Sequence, residues 1–202
     1  MNWGSPGSHN AMFDFRPATT VLASLVEGVR DDQLAAPTPC EDVTLGDLLD
    51  HIDNLARGFT AAANKTRMPG DQTPRPDASR LGSDWRTRIP GHLDALAEAW
   101  REPAAWEGMT QAGGIDLPGE VAAVVALDEV FVHGWDVAAA SGQAFAFEPG
   151  HLEVAHGFVQ RFADQNPEGV PGMFAAPVTV PDDAPPLSRF IGLTGRDPAW
   201  HA

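Results

Sequence analysis

The sequence has 202 residues, of which 43% are hydrophobic and 20% charged, a balance typical of a globular protein rather than a disordered one. Asp and Glu number 28 against 13 Lys and Arg, so the formal net charge is −15. Such a surface repels the phosphates of nucleic acids and anionic lipid headgroups, because both are bound through Lys and Arg. The charge therefore argues against nucleic acid and membrane surfaces as partners.

The cysteine content and the chain termini give expectations about location and domain organisation. Cys40 is the one cysteine, so no intrachain disulfide can form, which suits a reducing cytoplasm. No apolar run approaches the length of a membrane span. Residues 1–12 are rich in Gly and Ser, and we interpret them as a disordered extension or an expression scar. Residues 13–202 are expected to form one helical domain.

Apolar residues recur at helical rather than strand spacing through the middle of the chain, which predicts an all-α fold. The first helix begins near Pro17, which suits a first helical turn, and ends near Arg30. The second helix begins after Thr44, because Thr44 and Asp47 have the spacing of a capping box. Between Lys65 and Gly82, the prolines and glycines Pro69, Gly70, Pro74 and Pro76 exclude regular helix.

Apolar residues keep their helical spacing in the second half of the chain until prolines become frequent at Pro167. Ser83 is the expected N-cap of a third helix, and a Gly-rich connection from Trp106 to Gly119 follows. A fourth helix is predicted over 120–141, with Gly142 as its C-cap, and a fifth from Pro149. Frequent prolines then predict an irregular tail with a short docked helix near residues 187–191. The prolines of this tail are Pro167, Pro171, Pro177, Pro181, Pro185, Pro186 and Pro198.

The fourth predicted helix carries the strongest candidates for chemistry. Glu129 and His133 are four residues apart, which places them on one face, about 40° apart around the axis and about 6 Å along it. His51 lies at the edge of the apolar stripe of the second helix. If the two helices face each other, two imidazoles and a carboxylate converge, which is a donor set for a catalytic metal with open positions. Spacing alone nevertheless favours an ordinary hydrogen-bonded or surface pair.

Two further residues near these candidates have open roles. Asp136 follows His133 by three residues, and it is equally suited to orient an imidazole or to make a structural bond. Cys40 precedes the second helix, where a helix N-terminus can lower the pKa of a thiol. No His or second Cys is adjacent to it in sequence, so a structural role for Cys40 is favoured.

Two stretches resemble the DinB-like proteins related to mycothiol-dependent maleylpyruvate isomerase. The first is Pro37-Thr38-Pro39-Cys40 with Thr44-Leu-Gly-Asp47-Leu-Leu-Asp-His51, and the more specific second is Leu127-Asp-Glu129-Val-Phe-Val-His133-Gly-Trp135-Asp136-Val-Ala. The ending, Gly192-Leu-Thr-Gly195-Arg196-Asp197-Pro198, is similar to the tail of a short, single-domain, metal-binding subfamily.

This resemblance implies a four-helix bundle with an additional C-terminal helix and a divalent metal on His51, Glu129 and His133. Zinc is the first expectation, with nickel and iron as alternatives. The implied partners are a low-molecular-weight thiol such as mycothiol and a small electrophile, which we expect to rest against Trp135 or Phe131. The Gly-rich connection is expected to line the mouth of the pocket.

Three functions remain open at this point: a metal-dependent thiol S-transferase, a non-catalytic metal or small-ligand binder, and a metal-dependent hydrolase. The isomerase carries an additional C-terminal domain for which this chain is too short, so isomerase activity is not implied. The sequence does not indicate a catalytic residue beyond the metal ligands, nor an oligomeric state.

Overall fold

The computed structural model describes residues 12–67, 74–170 and 173–202. The expectation for residues 1–12 therefore lies outside the described residues except at Met12, as do Pro69, Gly70 and Pro171. In chain order, the helices are α1 (Arg16–Gly28), α2 (Leu45–Ala63), α3 (Trp85–Ala99), α4 (Pro103–Trp106), α5 (Gly119–Ser141), α6 (Pro149–Gln165) and α7 (Pro186–Leu193). Short 3-10 turns occupy Asp31–Gln33 and Ala78–Arg80, and the strands are β1 (Met109–Ala112) and β2 (Ile115–Pro118).

Four of the helices form the predicted bundle. Both α1 and α2 pack against α3 and α5, so α1 and α2 occupy opposite corners of the bundle. Leu48, Ile52 and Leu55 are buried between the helices, as predicted. Val125 and Phe158 are only partly buried, which corrects that part of the predicted core. Val125 shares a face of α5 with the half-exposed Glu129, and Phe158 belongs to a second apolar cluster outside the bundle.

The predicted capping box fixes the start of α2. Thr44 Oγ1 accepts a hydrogen bond from the backbone N–H of Asp47 at 3.2 Å, and Asp47 Oδ2 accepts one from the N–H of Thr44 at 3.0 Å. Asp47 Oδ1 also accepts from the N–H of Ala78 at 2.7 Å, which ties the long α2–α3 loop to the helix. These bonds satisfy donors that a helix N-terminus otherwise leaves free, and they anchor the helix that carries His51.

Two local predictions were wrong. The helix α3 begins at Trp85 with Asp84 rather than Ser83 at its N-cap position. The Gly-rich connection contains a β-hairpin, in which β1 pairs antiparallel with β2. Gly113 and Gly114, with φ of 56° and 78°, form the two-residue turn that such a hairpin requires. Because each strand has only four residues, an alternating pattern is too short to be recognised.

The C-terminal segment forms a second layer on α5. The helix α6 packs against α5, and α7 packs against α6. Apolar side chains from all three elements form a second buried cluster, which comprises Phe131, Val132, Trp135, Leu152, Ala155, Val159, Phe190 and Ile191. The prediction of an additional helix and a largely irregular tail outside the bundle is confirmed. Within the described ranges, the helices are all too short or too polar to cross a bilayer.

Replacing Thr44 with Ala is expected to destabilise the protein by about 1 kcal/mol, because the backbone N–H of Asp47 in the first turn of α2 loses its acceptor, Thr44 Oγ1. Urea denaturation followed by circular dichroism measures this loss. The control is Ser24→Ala, which removes an exposed hydroxyl within α1 and is expected to cost less than about 0.5 kcal/mol. Equal stability of the two variants would contradict the role of the capping box.

Candidate metal centre

The packing of α2 against α5 brings His51, Glu129 and His133 together. Glu129 Oε2 lies 3.1 Å from Nε2 of His133 and 3.6 Å from Nε2 of His51. The two imidazole rings meet edge to face, with centroids 4.8 Å apart. One ligand atom from each residue lies within 4.8 Å of the other two. The three residues singled out in the sequence therefore converge on one point.

The spacing of these donors suits a divalent ion. Tetrahedral zinc with bonds of about 2.0–2.1 Å keeps its ligand atoms roughly 3.3 Å apart, between the two observed N–O separations. The buried Nδ1 of His51 has no hydrogen-bond partner among the described residues. Glu129 keeps 33% of its side chain exposed, against 21% for His51 and 11% for His133. The cluster is thus closed on the helix side and open on the Glu129 side, where a further ligand can approach.

Charge is balanced within the cluster when no ion is bound. Burial raises the pKa of Glu129, but hydrogen bonds with His133 and His51 outweigh burial and lower it well below its ordinary value. Burial lowers the pKa of His133, but hydrogen bonds to Asp136, Cys40 and Glu129 raise it well above its ordinary value. The metal-free state therefore pairs an ionised Glu129 with an imidazolium at His133. A metal must displace that proton, because only a neutral imidazole can act as a ligand.

Behind His133 lies a second cluster that the sequence indicated only in part. The fully buried Asp136 accepts a hydrogen bond from Nδ1 of His133 at 2.9 Å and contacts Cys40 Sγ at 3.3 Å. Arg196 donates to both oxygens of Asp136, at 2.7 Å from Nε and 2.9 Å from Nη2. Burial raises the pKa of Asp136, but the charge of Arg196 and the hydrogen bonds with His133 and Arg196 together outweigh burial and lower the pKa to about 2.

Sequence reasoning missed Arg196 as a member of the site. Its only signal was its place in the tail motif, and no spacing rule connects it with Asp136, which lies 60 residues earlier. Cys40 belongs to the same cluster, since Arg196 Nη2 lies 3.2 Å from its Sγ. The polar partners of Cys40 are thus remote in sequence. Asp136 contacts both the imidazole of His133 and the guanidinium of Arg196.

Asp128 is a second buried carboxyl next to the cluster. It is 1% exposed, and its Oδ1 has no hydrogen-bond partner among the described residues. Burial and the neighbouring charge of Glu129 raise the pKa of Asp128 well above its ordinary value. Burial thus favours the neutral form of the Asp128 carboxyl.

The predicted surroundings of the site need two corrections. The hairpin does not line its mouth, because Thr110 Oγ1 donates to the carbonyl of Ala62, eleven residues and roughly 16 Å along α2 from His51. Phe131 and Trp135 each lie two residues beyond a predicted ligand, about 200° around α5. They are buried in the second apolar cluster and face away from the metal centre.

Comparison with known proteins places the chain in a family. The family described as the mycothiol maleylpyruvate isomerase N-terminal domain matches residues 15–138. The chain belongs to this family. Uncharacterized proteins from two strains of Mycobacterium tuberculosis are each 28% identical over 182 residues, which cover 89% of this chain and 93% of each relative. The family match over residues 15–138 spans His51, Glu129 and His133 and ends before α6, α7 and Arg196.

Solved structures of family members share the helical fold. The crystal structure of the mycothiol-dependent maleylpyruvate isomerase aligns with a TM-score of 0.53 at 18% identity, and covers 75% of this chain and 69% of that chain. A histidine-to-alanine mutant of that enzyme aligns over the same shares with a TM-score of 0.54 at 20% identity. The predicted DinB-like helical bundle is thereby confirmed.

Replacing Asp136 with Asn is expected to destabilise the metal-free protein by about 3–5 kcal/mol, because Arg196 then stays buried without a counter-charge. Guanidinium denaturation measures the change in the free energy of unfolding. The control is Glu98→Gln at the exposed contact with Arg16, where the expected loss is below about 0.5 kcal/mol. A loss below about 1 kcal/mol for the Asp136 variant would show that the buried pair is not needed for stability.

Proposed function

We propose that the protein binds one divalent metal through His51, Glu129 and His133 and transfers a low-molecular-weight thiol, such as mycothiol, to a small electrophile. The observation that carries this proposal is the convergence of the three donors with an open side at Glu129. Membership of the mycothiol maleylpyruvate isomerase family supports a thiol as the substrate class. Zinc is the proposed ion, since two imidazoles and a carboxylate are a common catalytic zinc set.

The charges of the site favour an anionic fourth ligand. With both imidazoles neutral, as metal ligation requires, the remaining protein charges are Glu129, Asp136 and Arg196. Together with a divalent ion, these leave one surplus positive charge in a largely buried cluster. When bound, the metal supplies a Lewis acid that stabilises a thiol as its thiolate, which is the nucleophilic form. A thiolate also neutralises the surplus charge.

The protein side chains would hold and orient the reactants. Glu129 and the two imidazoles would hold the ion, and Glu129 is the most exposed of the three side chains. Asp136 fixes the ring of His133 through Nδ1, so that Nε2 points at Glu129. A hydrolase would need a separate general base, yet the neighbouring Asp128 is buried and Asp136 is bound to Arg196. These contacts favour thiol transfer over hydrolysis.

Replacing His51 with Ala is expected to weaken zinc affinity at least about 100-fold, because losing a direct ligand costs no less than losing a residue behind one. Metal analysis of the purified protein and isothermal titration with zinc measure the effect. Circular dichroism should remain unchanged, since His51 lies at the edge of the core. The matched control is His156→Ala on α6, which is expected to retain metal fully.

The same variant tests the catalytic part of the proposal. Thiol consumption with mycothiol and a chromogenic electrophile should occur in the zinc-loaded protein and disappear in His51→Ala. Full activity in that variant would show that the metal is not the catalyst. If the protein retains metal but responds to no thiol, metal binding without catalysis replaces the transferase proposal.

Zinc affinity is expected to increase with pH through the neutral range. His133 has a raised pKa, so at pH 7 binding must release its proton, and this competition continues above the ordinary pKa of 6.5. Isothermal titration at pH 7 in two buffers of different ionisation enthalpy should report release of about one proton per zinc. Affinity that is constant between about pH 6 and 8 would contradict a protonated His133 in the metal-free site.

A further inference from the structure

Arg196 is brought to the metal centre by the way α7 ends. The backbone N–H of Arg196 donates to the carbonyl of Ile191, and that of Gly195 donates to the carbonyl of Gly192, which is the hydrogen-bond pair of a Schellman cap. Gly195 has a φ of 80°, and a Cβ there would lie 2.9 Å from the backbone of Ala175. The cap therefore fixes the position from which the buried Arg196 side chain reaches α5.

His133 belongs to two sets of residues that can each hold a metal ion. One set is His51, Glu129 and His133, and the other is Cys40, His133 and Asp136. The second set contains a cysteine, and thiolate is a preferred zinc ligand. The two sets lie on opposite nitrogens of the same imidazole, since Nε2 approaches Glu129 and Nδ1 approaches Asp136. By donor chemistry alone, the second set would compete for the ion.

The guanidinium of Arg196 already binds two of the three residues of the second set. It donates to both oxygens of Asp136 and to Cys40 Sγ. A guanidinium is always charged, so it repels a divalent cation at this distance. Its bidentate grip also orients Asp136, whose Oδ2 then accepts from Nδ1 of His133. This hydrogen bond selects the tautomer whose Nε2 is free on the Glu129 side.

We propose that Arg196 decides on which side of His133 the metal binds. Its guanidinium takes the place of a metal ion between Cys40 and Asp136. Through its bonds with Asp136, it also directs Nε2 of His133 toward His51 and Glu129. Arg196 is thus a positioning residue supplied by the C-terminal tail. The inference rests on the proposed function in one respect, namely that the centre binds a divalent metal.

Cobalt(II) is the probe, because a bond between cobalt and a thiolate gives an intense charge-transfer absorption in the near ultraviolet. The wild type is expected to bind Co²⁺ without this absorption. Arg196→Gln is expected to gain it, and Arg196→Gln combined with Cys40→Ser to lose it again. Arg196→Lys keeps a cation between Cys40 and Asp136, so its cobalt spectrum should resemble that of the wild type. Arg189→Gln, at an exposed arginine of α7, is the matched control.

The orienting role is measured in the Cys40→Ser background, where a sulfur ligand cannot contribute. Adding Arg196→Gln to Cys40→Ser is expected to weaken Co²⁺ affinity about 10–100-fold, as loss of a partner behind a ligand does. Arg196→Lys should recover part of that loss. Cys40→Ser alone should leave the affinity within about twofold of the wild type, because the sulfur is not a ligand while Arg196 is present.

Three outcomes would overturn the inference. A folded Arg196→Gln variant with the wild-type spectrum would show that the guanidinium does not exclude the ion. If Arg196→Gln does not fold, a loss above tenfold in Cys40→Ser alone would show that sulfur is already a ligand. A wild type that binds no Co²⁺ would overturn the proposed function as well, whereas the first two outcomes leave that function standing.

Discussion

One ionised carboxylate held between two imidazoles, at the contact of α2 and α5, is the arrangement on which the rest of the site depends. A partly buried carboxylate is costly unless charged or hydrogen-bonding partners surround it. Glu129 meets this requirement only because α2 carries His51 to within 3.6 Å, and because His133 follows one turn later on its own helix. The capped start of α2 and the leucines buried on that helix hold His51 in place. The geometry of the site therefore depends on the packing of the bundle.

The second layer of the fold takes part in this arrangement as well as covering it. The family match ends at residue 138, before α6 and α7, yet Arg196 from beyond α7 contacts Asp136, the acid behind His133. Apolar packing of α6 and α7 on α5 stabilises the C-terminal segment. The cap at Gly195 directs the chain so that the side chain of Arg196 reaches Asp136. The tail thereby completes a charge balance in which Asp136 and Glu129 are offset by Arg196 and a protonated His133.

This balance connects the strongly acidic chain with its proposed chemistry. The formal net charge of the chain is −15, whereas the centre itself is neutral without metal and would be positive with the proposed divalent ion. A centre of that sign attracts an anionic ligand, and a thiolate is the small anion that the family association suggests. Asp128 is buried and Asp136 is bound to Arg196, so Glu129 is the one partly exposed carboxylate among these neighbouring acids.

The sequence by itself determined what depends on neighbours along the chain. Helical periodicity predicted the bundle helices, Thr44 and Asp47 predicted the cap, and the four-residue spacing placed Glu129 and His133 on one face. These features follow from local hydrogen bonding and the 3.6-residue turn. The place of His51 at the edge of the apolar stripe of α2 made it a candidate, and the resemblance implied that it is a metal ligand. Only the tertiary structure decided that Cys40 and Arg196, 156 residues apart, meet behind His133, and that the hairpin lies far from the site. Such contacts depend on how whole helices pack, and many side-chain patterns are compatible with the same helical periodicity.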